Sequence, residues 1–323
     1  MTSPNSNFSE MVTTTLRHRS KKLKDNMSKN IALLMRLREK ENSREVAGGR
    51  QIIEELDYAE NSTFMYYDGD EVLNVGTSDV FTAAEFDWKQ AAVAVRINGK
   101  EMAMNSGSDA VLDLLESRIK NAEKTMTNNL STGVYSDGTG SGGKQIGGLQ
   151  SLVSDVGTGI VGNINSTTYS FWRNAIYDYS TNSVAASAAT IQDAMNSLYL
   201  SISRNRDRPD LIVADNTYFG HYWKSLQAIQ RISDDKVASA GFRSLKFMDS
   251  DVVFDGGFAG TAPSAHMYFL NTDYIKFVSH KSRNMVPLNP DRFATNQDAL
   301  VKLIGWMGNM TISNRSLQGV IVA

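Results

Sequence analysis

The chain reads as a mixed α+β protein in which strands and helices do not alternate regularly. Three observations lead there. Helical apolar spacing is confined to a few separate stretches, short apolar runs bounded by turn residues lie between them, and the chain from Val252 onward supplies mostly strands. A length of 323 residues allows two domains with their own cores, or one elaborate domain. With 41% hydrophobic residues and 33 Lys+Arg against 35 Asp+Glu, the composition excludes a disordered chain and a bulk nucleic-acid binder. The chain has no cysteine, and so no disulfide, thiolate zinc site or cysteine nucleophile. Its longest apolar runs, such as Leu211–Ala214, fall far short of the roughly 18 residues of a membrane span. The amino terminus lacks the charged and apolar segments of a secretory signal, so a soluble, intracellular chain is expected.

The elements follow in order. Asn30 to Lys40 places Ile31, Leu34, Met35 and Leu37 at helical spacing, with Arg36, Arg38 and Lys40 toward the end. Glu45 to Arg50, with Gly48-Gly49, breaks that helix. Gln51 to Val80 reads as extended chain, with Phe64–Tyr67 and Val72–Val75 flanking an Asp68-Gly69 turn. Such a hairpin cannot bury enough surface alone and is expected to pack on something outside itself. Ala91 to Met104 is a second hairpin candidate, turning at Asn98-Gly99. Ser106 to Leu130 reads as a long helix, capped by Ser106 with Asp109, and Val111, Leu114, Leu115, Ile119, Ala122, Met126 and Leu130 form its apolar stripe. The glycine-rich stretch Gly138 to Gly148 is the best internal boundary. Thr190 to Ser203 is a helix, Asp210 to Ala214 a buried strand, and Asn216 caps a helix running to about Ile232. Val252–Phe254, Met267–Leu270, Ile275–Val278 and Leu300 to Val322 supply strands.

Charge is unevenly distributed. Residues 1–50 hold 11 Lys+Arg against 5 Asp+Glu, a net of +6, whereas residues 51–87 hold 10 Asp+Glu and no Lys or Arg. Neighbouring segments of opposite sign invite pairing within or between chains, or are two ordinary solvated faces. A single surface pair contributes only about 0–1 kcal/mol, so the pattern gains weight only when many copies repeat it.

The motifs that could carry chemistry are weak. Gly138 to Lys144 fits the first seven positions of a phosphate-binding loop, but Gln145 stands where the magnesium-binding hydroxyl belongs, and the loop follows a helix. A nucleotide-dependent enzyme built on it would lose function in Lys144→Ala; a surface loop is the plainer reading. Asp249, Asp251 and Asp255 suggest a calcium loop, but Val253 occupies a ligand position and the late Glu is missing. His18, His221, His266 and His280 form no metal-spaced pair, and no serine lies in a nucleophile elbow. Tyr218, Phe219, Tyr222 and Trp223 read as core or subunit contact, and Phe171-Trp172-Arg173 as packing. No cofactor is called for, no site requires an enzyme, and nothing specifies an adhesive or lectin-like pocket.

The runs GGRQIIEELDYAENSTFMYYDGDEVLNV, DVFTAAEFDWKQAAVAVRINGKEMAMNSG, LLESRIKNAEKTMTNNL, YSDGTGSGGKQIGGLQSLV, STTYSFWRN and DLIVADNTYFGHYWKSLQ, in this order, resemble tailed-bacteriophage major capsid proteins. Together they cover most of the chain from about Asn30 to Ala323. The resemblance implies the fold first described for the phage Hong Kong ninety-seven shell, also used by encapsulins. Its parts would be an arm (1–47), an extended E-loop (48–82) and a peripheral domain (83–144) with a spine helix at 106–130. An axial domain (145–285) and carboxy-terminal strands returning to the peripheral domain (286–323) would complete it. It further implies a structural head protein assembling into pentamers and hexamers around double-stranded DNA, in a virion built in the bacterial cytoplasm. An encapsulin-like nanocompartment is the alternative. Expected partners are further copies of the chain, a portal at one vertex, a separate scaffold protein and a decoration protein.

The E-loop would lie across a neighbouring subunit. Arg36, Arg38 and Lys40 of the arm would then meet Glu54, Glu55 and Asp57, with Tyr66, Tyr67, Asp68, Asp70 and Glu71 also at the contact. Charge reversal on one side should impair assembly and reversal on both should partly restore it. Two departures from the family stand out. Residues 51–88 contain no lysine for the covalent crosslink some members make, and about 47 residues before the loop are too few for a fused scaffold.

Overall fold

The computed structural model describes residues 32–100, 108–226, 244–255, 262–293 and 299–323. Two sheets dominate it. The first is organised by one long strand, β14 (Ala299–Ile312), which pairs antiparallel with β4 (Lys89–Asn98), β13 (Val286–Phe293) and β12 (Ile275–His280). The short β1 (Ser43–Val46) adds parallel to β12. β4 pairs with β14 along its length and Gly99 and Lys100 are helical; the second arm of the hairpin expected over Ala91–Met104 falls on residues 101–107, outside the described set.

Helix α1 spans Ala32–Glu39, and α2, the long helix, spans Ser108–Val134, about 40 Å at 1.5 Å per residue. Its expected cap Ser106 lies outside the described residues. From Arg118 on, the helical stripe holds: Ile119 and Ala122 pack with Val95, Ile97 and Ile304, while Met126, Leu130 and Val134 enter the main core. Beyond the helix end, Tyr135 donates a 2.5 Å hydrogen bond to Asp255. Burial, followed by the Asp255 charge, pushes the Tyr135 hydroxyl well above its usual pKa. Burial likewise raises Asp255, outweighing the tyrosine bond that lowers it.

The second sheet has six strands in the order β7 (Ala175–Asp178), β15 (Gly319–Val322), β11 (His266–Leu270), β8 (Leu211–Ala214), β10 (Ser250–Phe254), β9 (Ser244–Phe247). β8 is buried throughout, because both faces are covered. Leu211 and Val213 face the main core, and Ile212 and Ala214 face a second core under α3 (Ile191–Ile202) and α4 (Asn216–Ser225). Tyr218 and Tyr222 are buried there, and Phe219 and Trp223 pack against it. The cap of α4 is Asp215, not Asn216: its Oδ1 accepts from the Tyr218 amide at 2.9 Å. The helix is described to Ser225, and residues 227–243 lie outside the description.

The expected return of residues 286–323 to one domain is divided between the sheets. β13 and β14 join β4, whereas β15 inserts between β7 and β11; β12, expected with the axial domain, joins β14. Between β14 and β15, the fully buried Arg315 donates to the Leu152 and Trp172 carbonyls and to Asn174 Oδ1, at 2.7, 3.0 and 2.8 Å. Burial lowers its pKa to about 10, so it stays charged at neutral pH.

Candidate assembly interface

The acidic extended segment forms a hairpin, but not in the expected register. The ladder pairs β2 (Ile52–Asp57) with β3 (Phe81–Phe86), from Ile52 opposite Phe86 to Asp57 opposite Phe81. Phe64–Tyr67 and Val72–Val75 form no strands. The Asp68-Gly69 turn does form, with the Glu71 amide donating to the Asp68 carbonyl at 3.3 Å and Gly69 at φ +48°.

Alternation along β2 separates two faces. Ile52, Glu54 and Leu56 point inward, and Ile53, Glu55 and Asp57 outward. Glu54 is buried yet satisfied: Lys276 Nζ donates to it at 2.5 Å and Thr311 Oγ1 at 3.0 Å. This clamp fastens the hairpin base to β12 and β14. A second attachment is the ribbon of β5 (Ile160–Val161) and β6 (Ile164–Asn165), where the Glu85 amide donates to the Gly162 carbonyl at 3.0 Å. Gly162 has φ +59°, and a Cβ there would come within 2.9 Å of Ala84 Cβ, so a close approach and a left-handed turn both favour glycine.

Beyond Tyr58 and Val80 the loop leaves its own chain. Tyr66, Val72 and Val75 are 90–92% exposed and Phe64 is 75% exposed, with Tyr67, Leu73 and Met65 also at the surface. Asp68, Asp70 and Glu71 are exposed beside them. The result is an apolar and aromatic tip carrying negative charge.

Arg36 on α1 and Lys40 just past its end go elsewhere. Arg36 meets Asp251 at 2.6 Å and Asp210 at 3.1 Å, and Lys40 meets Asp273 at 2.7 Å and Asp210 at 3.2 Å. Lys246 also pairs with Asp251, at 2.7 Å. The expected meeting of Arg36 and Lys40 with Glu54 is therefore not made within the chain, because each has an interior partner. Arg38 is exposed on α1, and Glu55 and Asp57 lie on the outer face of β2. The partners Asp210, Asp251, Asp273 and Lys276 were missed because they lie more than 170 positions from α1 or β2 in sequence, and no local pattern marks them.

The motifs considered for chemistry have structural uses. Gly140–Gly143 forms a turn with Ser141, Gly142 and Gly143 at positive φ, and the Gly143 carbonyl accepts from Lys89 Nζ at 2.6 Å. Asp249 pairs with Arg208 at 2.8 Å, Asp251 with Arg36 and Lys246, and Asp255 with Tyr135. Among the described residues no group of three or more His, Asp or Glu is placed to hold a metal, and no helix is long and apolar enough to cross a membrane.

No family model and no curated protein matches the sequence. Solved structures do match. "Cyanophage A-1(L) capsid asymmetric unit" aligns with TM-score 0.63 and 14% identity, over 86% of this chain and 89% of that one. "Capsid of native GTA particle computed with C5 symmetry" aligns with TM-score 0.57 and 9% identity, over 88% and 89%. An encapsulin, "holo-SrpI encapsulin complex from Synechococcus elongatus PCC 7942", aligns with TM-score 0.55 and 8% identity, over 86% and 83%. At these identities the likeness concerns the fold: the chain has the mixed α+β fold of phage capsid proteins over most of its length.

Proposed function

We propose that this chain is the major shell subunit of a tailed-phage-type head. The observation that carries the reading is the loop tip. Phe64, Tyr66, Val72 and Val75 stand in solvent on a hairpin with no core of its own, and burying each such side chain contributes roughly 1.5–3 kcal/mol. A second copy would supply that burial. Repeated around closed rings, such heterologous contacts build pentamers and hexamers and then an icosahedral shell around double-stranded DNA.

In this reading residues 1–47 are the arm and 48–82 the E-loop, with its ladder continuing to Phe86. The five-stranded sheet with α2 makes the peripheral domain, and the six-stranded sheet with α3 and α4 the axial domain. Glu55, Asp57, Tyr66, Tyr67, Asp68, Asp70 and Glu71 are the loop residues proposed for the contact, with Arg38 on the arm. Portal, scaffold and decoration proteins are the proposed partners, assembly takes place in the bacterial cytoplasm, and the role is structural rather than enzymatic. The encapsulin likeness favours a second reading, a compartment filled with protein.

Sedimentation of the full chain, expressed with and without the scaffold candidate from its gene neighbourhood, tests the proposal. Closed particles support a shell, and their content, DNA or a protein cargo, separates the two readings. A chain that sediments only as monomer under both conditions contradicts both.

A further inference from the structure

Where the hairpin base meets the rest of the chain, a depression of about 440 Å³ opens between β3 and the segment after β6. Tyr58, Phe81, Tyr169 and Phe171 line it, with Asp79 and Glu85 at its edges. Three of these rings are connected: Tyr58 and Phe171 lie 5.3 Å apart by centroid, and Tyr169 and Phe171 6.2 Å. Phe81 is 77% and Tyr169 52% exposed. Through Tyr58 the depression continues into a second one carrying Asp57, Glu60 and Arg204. Arg204 is already paired with Asp207 at 3.1 Å. The groove thus combines aromatic faces with four carboxylates, in a stretch of chain that has no Lys or Arg from 51 to 87.

Such a surface fits a cationic peptide with apolar residues among its charges, since ring faces and carboxylates both attract guanidinium and ammonium groups. The chain contains one. Leu16-Arg17-His18-Arg19-Ser20-Lys21-Lys22-Leu23-Lys24 has five Lys+Arg and no acid. It belongs to residues 1–31, outside the described set. The basic residues that follow it, Arg36 on α1 and Lys40 just past its end, are engaged with Asp210, Asp251 and Asp273 and do not compete for the groove. The arm and the hairpin base are also fastened to one short stretch of chain, Lys40 to Asp273 and Glu54 to Lys276. Eight residue steps separate Lys24 from Ala32, a reach of at most about 28 Å.

We infer that this groove is the seat of the Leu16–Lys24 segment, its cations lying over the rings and against Asp57, Glu60, Asp79 and Glu85, and its two leucines on the apolar floor. The arm then brackets the loop base, through α1 on one side and this segment on the other. The inference concerns the subunit and holds whether or not it forms a shell.

The test places a photo-crosslinking benzoylphenylalanine at Phe81 in the full-length chain, with Val156, exposed and outside the groove, as the control position. Cleavage after Glu10 and Asp25 releases the peptide Met11–Asp25. The expected result is crosslinking to that peptide from position 81 and not from 156, reduced about fivefold or more by Asp57→Lys with Asp79→Lys. Equal yields from both positions, indifference to the charge changes, or crosslinks from 81 to another segment or another protein would overturn the assignment.

Discussion

Glu54 and His266 show how single side chains hold this subunit together. Glu54 lies in a segment with ten acids and no Lys or Arg, yet it is enclosed with Lys276 and Thr311. Glu54→Ala leaves an ammonium group without its partner and should lower subunit stability by about 2–4 kcal/mol, read from the denaturant midpoint. His266 has acceptors at both ring nitrogens, the Ser264 carbonyl at 2.7 Å from Nδ1 and Asp155 at 3.0 Å from Nε2. Only the imidazolium can donate to both. Burial pulls its pKa down, but the bonds to Asp155 and Ser264 and the charges of Asp155 and Asp215 override it, and the pKa is raised. The stabilisation is fully present below the unfolded value of about 6.5 and is lost as pH rises through the higher folded value. His266→Gln should therefore lower the melting temperature more at pH 5.5 than at pH 8.5. An equal loss at both would show that His266 acts by packing alone.

At the scale of elements, two close approaches set what the chain tolerates. Gly148 sits against the end of α2, where an added Cβ would lie 2.4 Å from the Gly133 and Val134 carbonyls. Those atoms are backbone and cannot yield, so Gly148→Ala should destabilise by about 3 kcal/mol or more and reduce the soluble yield. Ile119→Ala, at the contact of α2 with β4 and β14, should cost about 2–4 kcal/mol through the cavity it leaves. The α2 stripe from Ile119 on, α3 and the buried β8 were legible because local periodicity or an unbroken apolar run specifies them; Val111, Leu114 and Leu115 fall outside the residues whose burial is described. β1 was not, because Ser43, Arg44 and Glu45 are exposed and only the parallel pairing with Phe277 to Ser279 makes them a strand. The loop misled in the opposite way. Its apolar residues imitate strands but stay in solvent, while the true ladder uses Glu54, Glu55, Ala83 and Ala84, which carry little strand signal. Which sheet receives β12 or β15 depends on partners far away in sequence, and no window contains that information.

For the molecule as a whole, the proposed shell role rests on the exposed loop tip. Tyr66→Asp with Val75→Asp should leave the subunit's melting temperature nearly unchanged, since both side chains are at least 90% exposed and Tyr66 leans on Phe64, itself at the surface, rather than on the core, while closed particles fall at least tenfold in the sedimented fraction. A matching loss of subunit stability would mean that the tip serves its own fold. Cryo-electron microscopy of particles formed by the full chain with its scaffold candidate tests the central claim most directly. The account predicts closed icosahedral shells of pentamers and hexamers in which residues 58–80 of each subunit lie across a neighbour. Particles in which that loop contacts no other subunit, or isolated chains throughout, would contradict it.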